Sequence, residues 1–255
     1  VRVVADLGNS RLKWSRLHDE GRLEPSVALP LDDETAWQVL WRRWIEERSP
    51  EASSWAISTV NPPLAQRLER FLSVNGVRDV RWFRCAADVP VAQRLDNPTA
   101  AGADRALAVL GAIAMSPAGQ PGFVVLCGSA ITVERVSDSG VWEGGAIAPG
   151  LILAARVLHE RTAQLPLIAA RDAPPAWGRS TVPAIEAGIF WGAVGTIREL
   201  LTRQEHDSAG PTWTAWTGGD APLLCPHVAW PGSRVVPDLV LRGLAHAGWT
   251  DTECA

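Results

Sequence analysis

Short apolar stretches along the chain end at glycine, asparagine or proline, and their periods switch between two and about three and a half. Residues 2–7 (RVVADL) are apolar and β-prone, Gly8-Asn9-Ser10 is turn chemistry, and residues 11–17 alternate again, which predicts a β-hairpin. Trp37, Leu40, Trp41, Trp44 and Ile45 share one helical face, so the pattern predicts an amphipathic helix over 34–48 behind a cap at Asp32-Asp33. Residues 55–60 read as a strand that stops at Asn61-Pro62-Pro63. Pro63 opens a helix with Leu64, Leu68, Phe71 and Leu72 on one side. A short strand over 80–84 and a helix over 102–115, stopped by Ser116-Pro117, complete this half.

The second half starts the same way. Residues 122–130 form an apolar strand running into a small-residue turn, and residues 131–136 leave it as a second strand. A strand and glycine loop follow over 142–150, then helices over 151–160 and 182–204, a strand over 213–216 that meets Thr217-Gly218-Gly219-Asp220, and a closing helix over 238–247. Strands alternating with helices, with a hairpin opening each half, predict an α/β fold with mixed sheets. VVADLGNSRLKWSRL and VVLCGSAITVERV align through Gly8 and Gly128, about 120 residues apart, as a weak internal repeat. The expected division is two domains, 1–117 and 118–255, with the boundary in the Pro-Gly stretch around 116–122.

Composition narrows the function classes. A hydrophobic fraction of 47% with 20% charged residues belongs to a chain with a full core. A net charge of −4 and the lack of any basic run argue against coating nucleic acid by charge. No apolar run approaches the length that spans a bilayer, and the N-terminal residues lack the basic-then-apolar pattern of a secretory leader. Cys85, Cys127, Cys225 and Cys254 are scattered, and no histidine pair has metal-ligand spacing. The expectation is therefore a reduced, cytoplasmic protein without a zinc site or disulfide framework. There are 13 tryptophans and no tyrosine, the tryptophans expected mostly as core packing, and Lys13 is the only lysine.

Two constellations carry possible chemistry. A Gly-Asn-Ser turn between strands offers backbone N–H groups to phosphate oxygens, Asp6 stands two residues before its glycine, and Lys13 brings a compact cation. A carboxylate at Asp6 suits Mg²⁺, directly or through water. Read alone, DLGNS is better explained as a plain hairpin turn, with Lys13 a solvated residue. In Gly102-Ala103-Asp104-Arg105, Asp104 falls in the first turn of a helix, where the dipole favours an ionised carboxylate able to accept a proton, and Arg105 offers a fork for a carboxylate ligand. Read alone, this pair is an ordinary helix start.

The order DLGNSRLK, DNPTAAGADRA, VVLCGSAIT, GGAIAPG, GRSTVPAIEAGIFWG, TGGDA, PDLVLRGL resembles the type III pantothenate kinases, the Bvg accessory factor family, from the first strand to the last helix. The resemblance implies two ribonuclease-H-like domains of the acetate and sugar kinase, Hsp70 and actin superfamily, with nucleotide in the interdomain cleft. It implies a homodimer that phosphorylates the pantothenate 4′-hydroxyl with ATP and Mg²⁺, the first step to coenzyme A. On the family pattern Asp6, Leu7, Gly8, Asn9, Ser10, Arg11, Leu12 and Lys13 form the ATP phosphate loop. Gly102, Ala103, Asp104 and Arg105 contact pantothenate, and Asp104 accepts the proton of the attacking hydroxyl. Ser129 stands where the family has an ATP-contacting threonine, and Thr181 matches a threonine that reaches pantothenate at the dimer interface.

One position departs from that pattern. The family's second phosphate motif begins with an aspartate that binds a monovalent cation, K⁺ or NH₄⁺, and here the aligned residue is Leu126. Leucine cannot ligate an ion. Glu134 replaces a second family aspartate, and Ile131 a threonine. Three readings follow: an active kinase without cation dependence, a cation site rebuilt from other carboxylates, or an impaired relative acting as a binding or transcription-regulatory protein. The retained Asp6, Asn9, Lys13, Asp104 and Arg105 favour the active kinase. A superfamily phosphatase, or a kinase for another small alcohol, is the competing enzyme class.

Overall fold

A computed structural model describes residues 1–45, 53–169, 172–205 and 210–249. The chain divides into two compact units. The first comprises Val1–Val91, Leu95–Met115 and the chain from Asp238 onward; the second comprises Ala92–Arg94 and Ser116–Pro237. The change at Met115 lies close to the expected boundary. The closing helix, assigned by sequence to a domain over 118–255, instead belongs to the first unit, because its apolar face packs on the helix carrying Asp104.

In the first unit, β1 (Arg2–Leu7) and β2 (Leu12–Leu17) form the expected hairpin, in register from Arg2↔Leu17 to Leu7↔Leu12. β3 (Val27–Leu29) pairs with β2, while β4 (Ser54–Thr59) and β5 (Asp79–Phe83) add in parallel on the other side. α1 (Glu34–Trp44) starts where Asp33 accepts from the Ala36 N–H. α2 (Pro62–Val74) starts one residue earlier than expected, where Asn61 accepts from Leu64 N–H. Such caps satisfy N–H groups that the first helical turn leaves unpaired. The expected helix over 34–48 ends at Trp44 with Ile45 as its cap, and 46–48 lie outside the described residues.

Alternation along the central strands decides what each face carries. Val3, Ala5 and Leu7 of β1, Leu12 and Trp14 of β2, and Trp55 and Ile57 of β4 join the core under α1 and α2. There Trp14 meets Trp55 edge-on at 5.1 Å and Trp37 meets Phe71 at 5.7 Å, so these tryptophans are core. Asp6, Lys13 and Ser58 are the intervening residues, and therefore lie on the opposite face. That face is covered by α3 (Ala103–Ile113) and α7 (Leu239–Ala247). The two helices cross closely: a Cβ on Gly111 would strike the Leu239 carbonyl, and one on Gly243 the Leu107 carbonyl.

In the second unit, β6 (Gly122–Cys127) and β7 (Ala130–Val136) form the second hairpin, followed by β8 (Trp142–Pro149), α4 (Leu151–Arg161), α5 (Thr181–Glu205), β9 (Trp213–Thr217), α6 (Ala221–Val228) and β10 (Ser233–Val235). The first sheet has the order β3-β2-β1-β4-β5, and the second, in the same sense, β8-β7-β6-β9-β10. Each is a three-stranded antiparallel meander extended by two parallel strands, so the internal repeat is a repeat of topology. Phe123, Val125, Cys127, Ile131 and Val133 pack with Ile189, Phe190 and Trp216 as the second core.

Candidate functional site

The geometry that gathers charge is the α3/α7-covered face of the first sheet. Asp6 lies there with Lys13 as its register partner on β2 and Ser58 on β4. Its Oδ1 is sealed from solvent without a hydrogen-bond partner, and the Ser58 hydroxyl is buried on the neighbouring strand. Burial pushes the Asp6 carboxyl up to about 7, and the Asp104 charge adds to the rise. Lys13 and Ser58 pull it down, and Asp238 pushes it up again. Lys13 Nζ does not satisfy the orphaned oxygen: it donates to Asp238 Oδ1 at 2.9 Å, and Ser26 Oγ donates to Asp238 Oδ2 at 2.7 Å.

Asp104 reaches the same face from α3. Gly102 is the N-cap residue, and Asp104 Oδ1 folds back to accept from the Arg105 N–H at 2.9 Å. A Cβ on Gly102 would collide with that oxygen, so glycine is required by the carboxylate's position. Ala103 is fully buried and anchors the turn, while Arg105 is half-buried. Asp6, Lys13, Asp104 and Asp238 thus form one electrostatic cluster of three carboxylates and one ammonium.

The turn itself differs from a cradle in which every N–H is presented. The Gly8 N–H donates to the Arg11 carbonyl at 3.1 Å. Leu7 and Leu12 are fully buried in the core, so their contribution to a ligand is limited to the backbone. Asn9, Ser10 and Arg11 occupy the exposed tip.

The second hairpin repeats this turn. The Gly128 N–H donates to Ala130 O at 3.0 Å and the Gly150 N–H to Ser129 O at 3.1 Å, with Ser129 exposed. Gly150 lies so close to the Gly128 carbonyl that no side chain fits. Gly218 has a φ of +98° and backs onto the Cys127 backbone, so glycine there is explained by conformation and packing. The Cys127 thiol is buried, which pushes its ionisation far up and leaves it inert. Leu126 has Thr132 and Thr217 as register partners, and the buried Thr132 hydroxyl is unbonded. Glu134 is fully buried and accepts from the Trp142 indole N–H at 3.0 Å. Thr181 is exposed at the first position of α5.

Two metals are implied, and they fare differently. Mg²⁺ takes a few carboxylates and completes its shell with water and phosphate, which the single orphaned oxygen of Asp6 fits. Among the described residues no three His, Cys, Asp or Glu side chains form a metal cage. A monovalent cation does not fit the second turn: its position holds Leu126, and Glu134 is tied to Trp142.

The sequence reading missed Asp238, Ser26 and Ser58. Asp238 stands inside PDLVLRGL, where it looks like a helix start. Its partners lie over 200 positions away, and no local pattern signals them.

Comparison with known proteins bears on all of this. Residues 2–203 match the family model for type III pantothenate kinase. A type III pantothenate kinase of Acidiphilium cryptum (strain JF-5) is 34% identical, over 96% of this chain and 92% of that one. One from Janthinobacterium sp. (strain Marseille) is 35% identical over 95% of each. Among solved structures, a Campylobacter jejuni protein described as a Baf family transcriptional activator superposes with a TM-score of 0.61 at 20% identity, covering 96% of both chains. A Sinorhizobium meliloti protein described as a 2-dehydro-3-deoxygalactonokinase gives 0.60 at 14%, covering 96% of this chain and 97% of its own. At such identities these likenesses speak for fold alone, and with the repeated sheet topology they give an α/β fold of two ribonuclease-H-like domains. The family match and the near-full-length relatives carry the assignment: the chain belongs to the type III pantothenate kinase family.

Proposed function

We propose that Asp104 is the general base in the reaction of this family, the ATP-dependent phosphorylation of pantothenate to 4′-phosphopantothenate at the start of coenzyme A biosynthesis. Phosphoryl transfer asks a protein for alignment and charge neutralisation more than for covalent chemistry. Asp104 takes the proton of the attacking 4′-hydroxyl, a task that contributes about 10²–10⁴-fold when the base is within hydrogen-bond reach. Arg105, next along α3, pairs with the pantothenate carboxylate and sets the hydroxyl in line. Gly102 and Ala103 bring the helix start up to the substrate.

Lys13 neutralises phosphate oxygens of ATP, and the backbone of 6–13 holds them. Asp6 is the carboxylate that would hold Mg²⁺, and the ion would supply neutralisation of phosphate charge. Ser129 as a nucleotide contact and Thr181 as a pantothenate contact rest on the resemblance and on their exposure. The observation that carries the reading is the meeting of Asp6, Lys13 and Asp104 in one electrostatic cluster. Asp104→Asn tests it: pantothenate-dependent ADP formation should fall at least 100-fold while ATP binding and melting temperature hold. Turnover within a few-fold of the unmodified protein removes Asp104 from the mechanism.

Two further features belong to this reading. Leu126 makes the reaction indifferent to the choice of K⁺, NH₄⁺ or Na⁺. A homodimer is supported by α5, where Gly188, Gly192 and Gly195 are exposed with nothing within 4 Å of where a Cβ would stand. Beside them an apolar groove of about 480 Å³ runs between α4 and α5, with the exposed Val157 in its wall. Sedimentation should give twice the 27.4 kDa chain mass, and Gly192→Arg should return it to one. A wild-type monomer at micromolar concentration rejects the dimer. No helix among the described residues is long and apolar enough to cross a membrane. Free thiols at Cys85, Cys127 and Cys225 support a reducing, cytoplasmic setting.

A further inference from the structure

We propose that Asp238 is a positioning residue that aims the Lys13 ammonium, keeping it ready for phosphate and away from the carboxylate of Asp6. The inference rests on the reading of Lys13 as the phosphate cation. Lysine is a point charge on a flexible four-carbon stem, and its rotamer freedom must be removed before it can serve a fixed site. In this chain both oxygens of one carboxylate are given to that task. Asp238 Oδ1 accepts from Lys13 Nζ and Oδ2 from Ser26 Oγ, which braces the carboxylate from β2 and from the segment just before β3. An ammonium has three donors, so one bond to Asp238 leaves two for phosphate oxygens.

Local structure does not account for Asp238. It has a φ of +58°, in the left-handed region that aspartate and asparagine tolerate better than most residues. It stands at the N-cap position of α7, yet its side chain caps no N–H of that helix. Nor does stability explain the ion pair, since both side chains are partly exposed, at 32% and 23%, and such pairs contribute little. What the arrangement does achieve is geometric. Asp6 Oδ1 stays unpartnered beside a lysine that is its own register partner, because the lysine is turned to Asp238. The sole lysine and the magnesium-binding carboxylate are thus kept from closing on each other.

A double-mutant cycle tests the proposal. Lys13→Met, Asp238→Asn and the pair together are compared by steady-state kinetics, by calorimetric binding of a non-hydrolysable ATP analogue with Mg²⁺, and by thermal melting. Asparagine tolerates the left-handed conformation, so Asp238→Asn keeps the backbone while removing the charge. Lys13→Met should lower kcat/KM for ATP about 100-fold, as for loss of a phosphate cation. Asp238→Asn should lower it about tenfold and weaken analogue binding to match, with KM for pantothenate unchanged. The double variant should be no worse than Lys13→Met, the signature of two residues acting as one. Ser26→Ala should give a smaller loss in the same parameter, and it keeps the question answerable if Asp238→Asn folds poorly. Losses that multiply in the double variant, or an Asp238→Asn enzyme and a Ser26→Ala enzyme equal to the parent, overturn the positioning role while leaving Lys13 in place. A Lys13→Met enzyme with unchanged kinetics overturns the reading of Lys13 itself.

Discussion

The two hairpins are one device built twice with opposite contents. β1–β2 and β6–β7 sit at the same place in sheets of the same strand order, and each turn is closed by its glycine N–H donating to a nearby carbonyl. Two residues before that glycine the first carries Asp6 and the second Leu126. The fold accepts either. A carboxylate at the first position is costly, because burial opposes its charge, and among the described residues its Oδ1 has no hydrogen-bond partner. The second hairpin shows that the topology does not require it, which fits the proposal that the acid in the first serves a ligand.

That contrast can be broken most sharply at Asp6. With Asp6 as the proposed Mg²⁺ carboxylate, Asp6→Asn should reduce turnover about 10³-fold, while Leu126→Ala should change it less than about threefold. Similar losses from both would dissolve the distinction.

The next effect is on stability. Because the Asp6 carboxyl is raised from 3.8 to about 7, the folded protein holds a proton that the unfolded chain releases. Its contribution is therefore most favourable below about pH 4 and is lost as pH rises to about 7, by up to about 4 kcal/mol without Mg²⁺. Denaturant melts at pH 5 and pH 8 should show Asp6→Asn flattening this slope and exceeding the parent's stability at pH 8. A parent and variant with parallel pH profiles would show that Asp6 titrates normally.

A milder expectation concerns ions. Exchanging K⁺ for Na⁺ should alter the parent's rate less than about twofold, and Leu126→Asp, placing a carboxylate between Thr132 and Thr217, should create a saturable K⁺ response. A strong K⁺ requirement in the parent would locate a cation elsewhere. The smallest effect belongs to the tip glycines. Neither Gly8 nor Gly128 has a positive φ, and a Cβ on either would make only ordinary contacts, so alanine at either should change stability by about 1 kcal/mol or less. Loss of ATP affinity in Gly8→Ala at unchanged melting temperature would mark that glycine as space left for a ligand.

How much of this was legible in the sequence follows from interaction range. The hairpins, α1, α2 and α5 were visible because their apolar periods are long enough to read. β3 and β10 are three residues each, too short for a period, and α6 was hidden by Pro222 and Pro226 within eight residues. Asp6 and Asp104 stood out by position in their motifs. Asp238 did not, because its meaning lies in a lysine and a serine from the opposite end of the chain. The grouping of α7 with the first unit was hidden for the same reason: its partner is α3, and the glycines that let them touch, Gly111 and Gly243, have no local signature.

The return of α7 to the first unit has a consequence for biosynthesis. During translation the segment that begins with β1 emerges early, but the helix that braces α3 and the aspartate that holds Lys13 emerge only after the whole second unit has been made. Stalled chains ending before residue 238 should therefore leave that face of the first sheet open to protease and remain inactive, whereas release of the finished polypeptide should close it. A nascent fragment that is already protected and active would show that the late helix is dispensable.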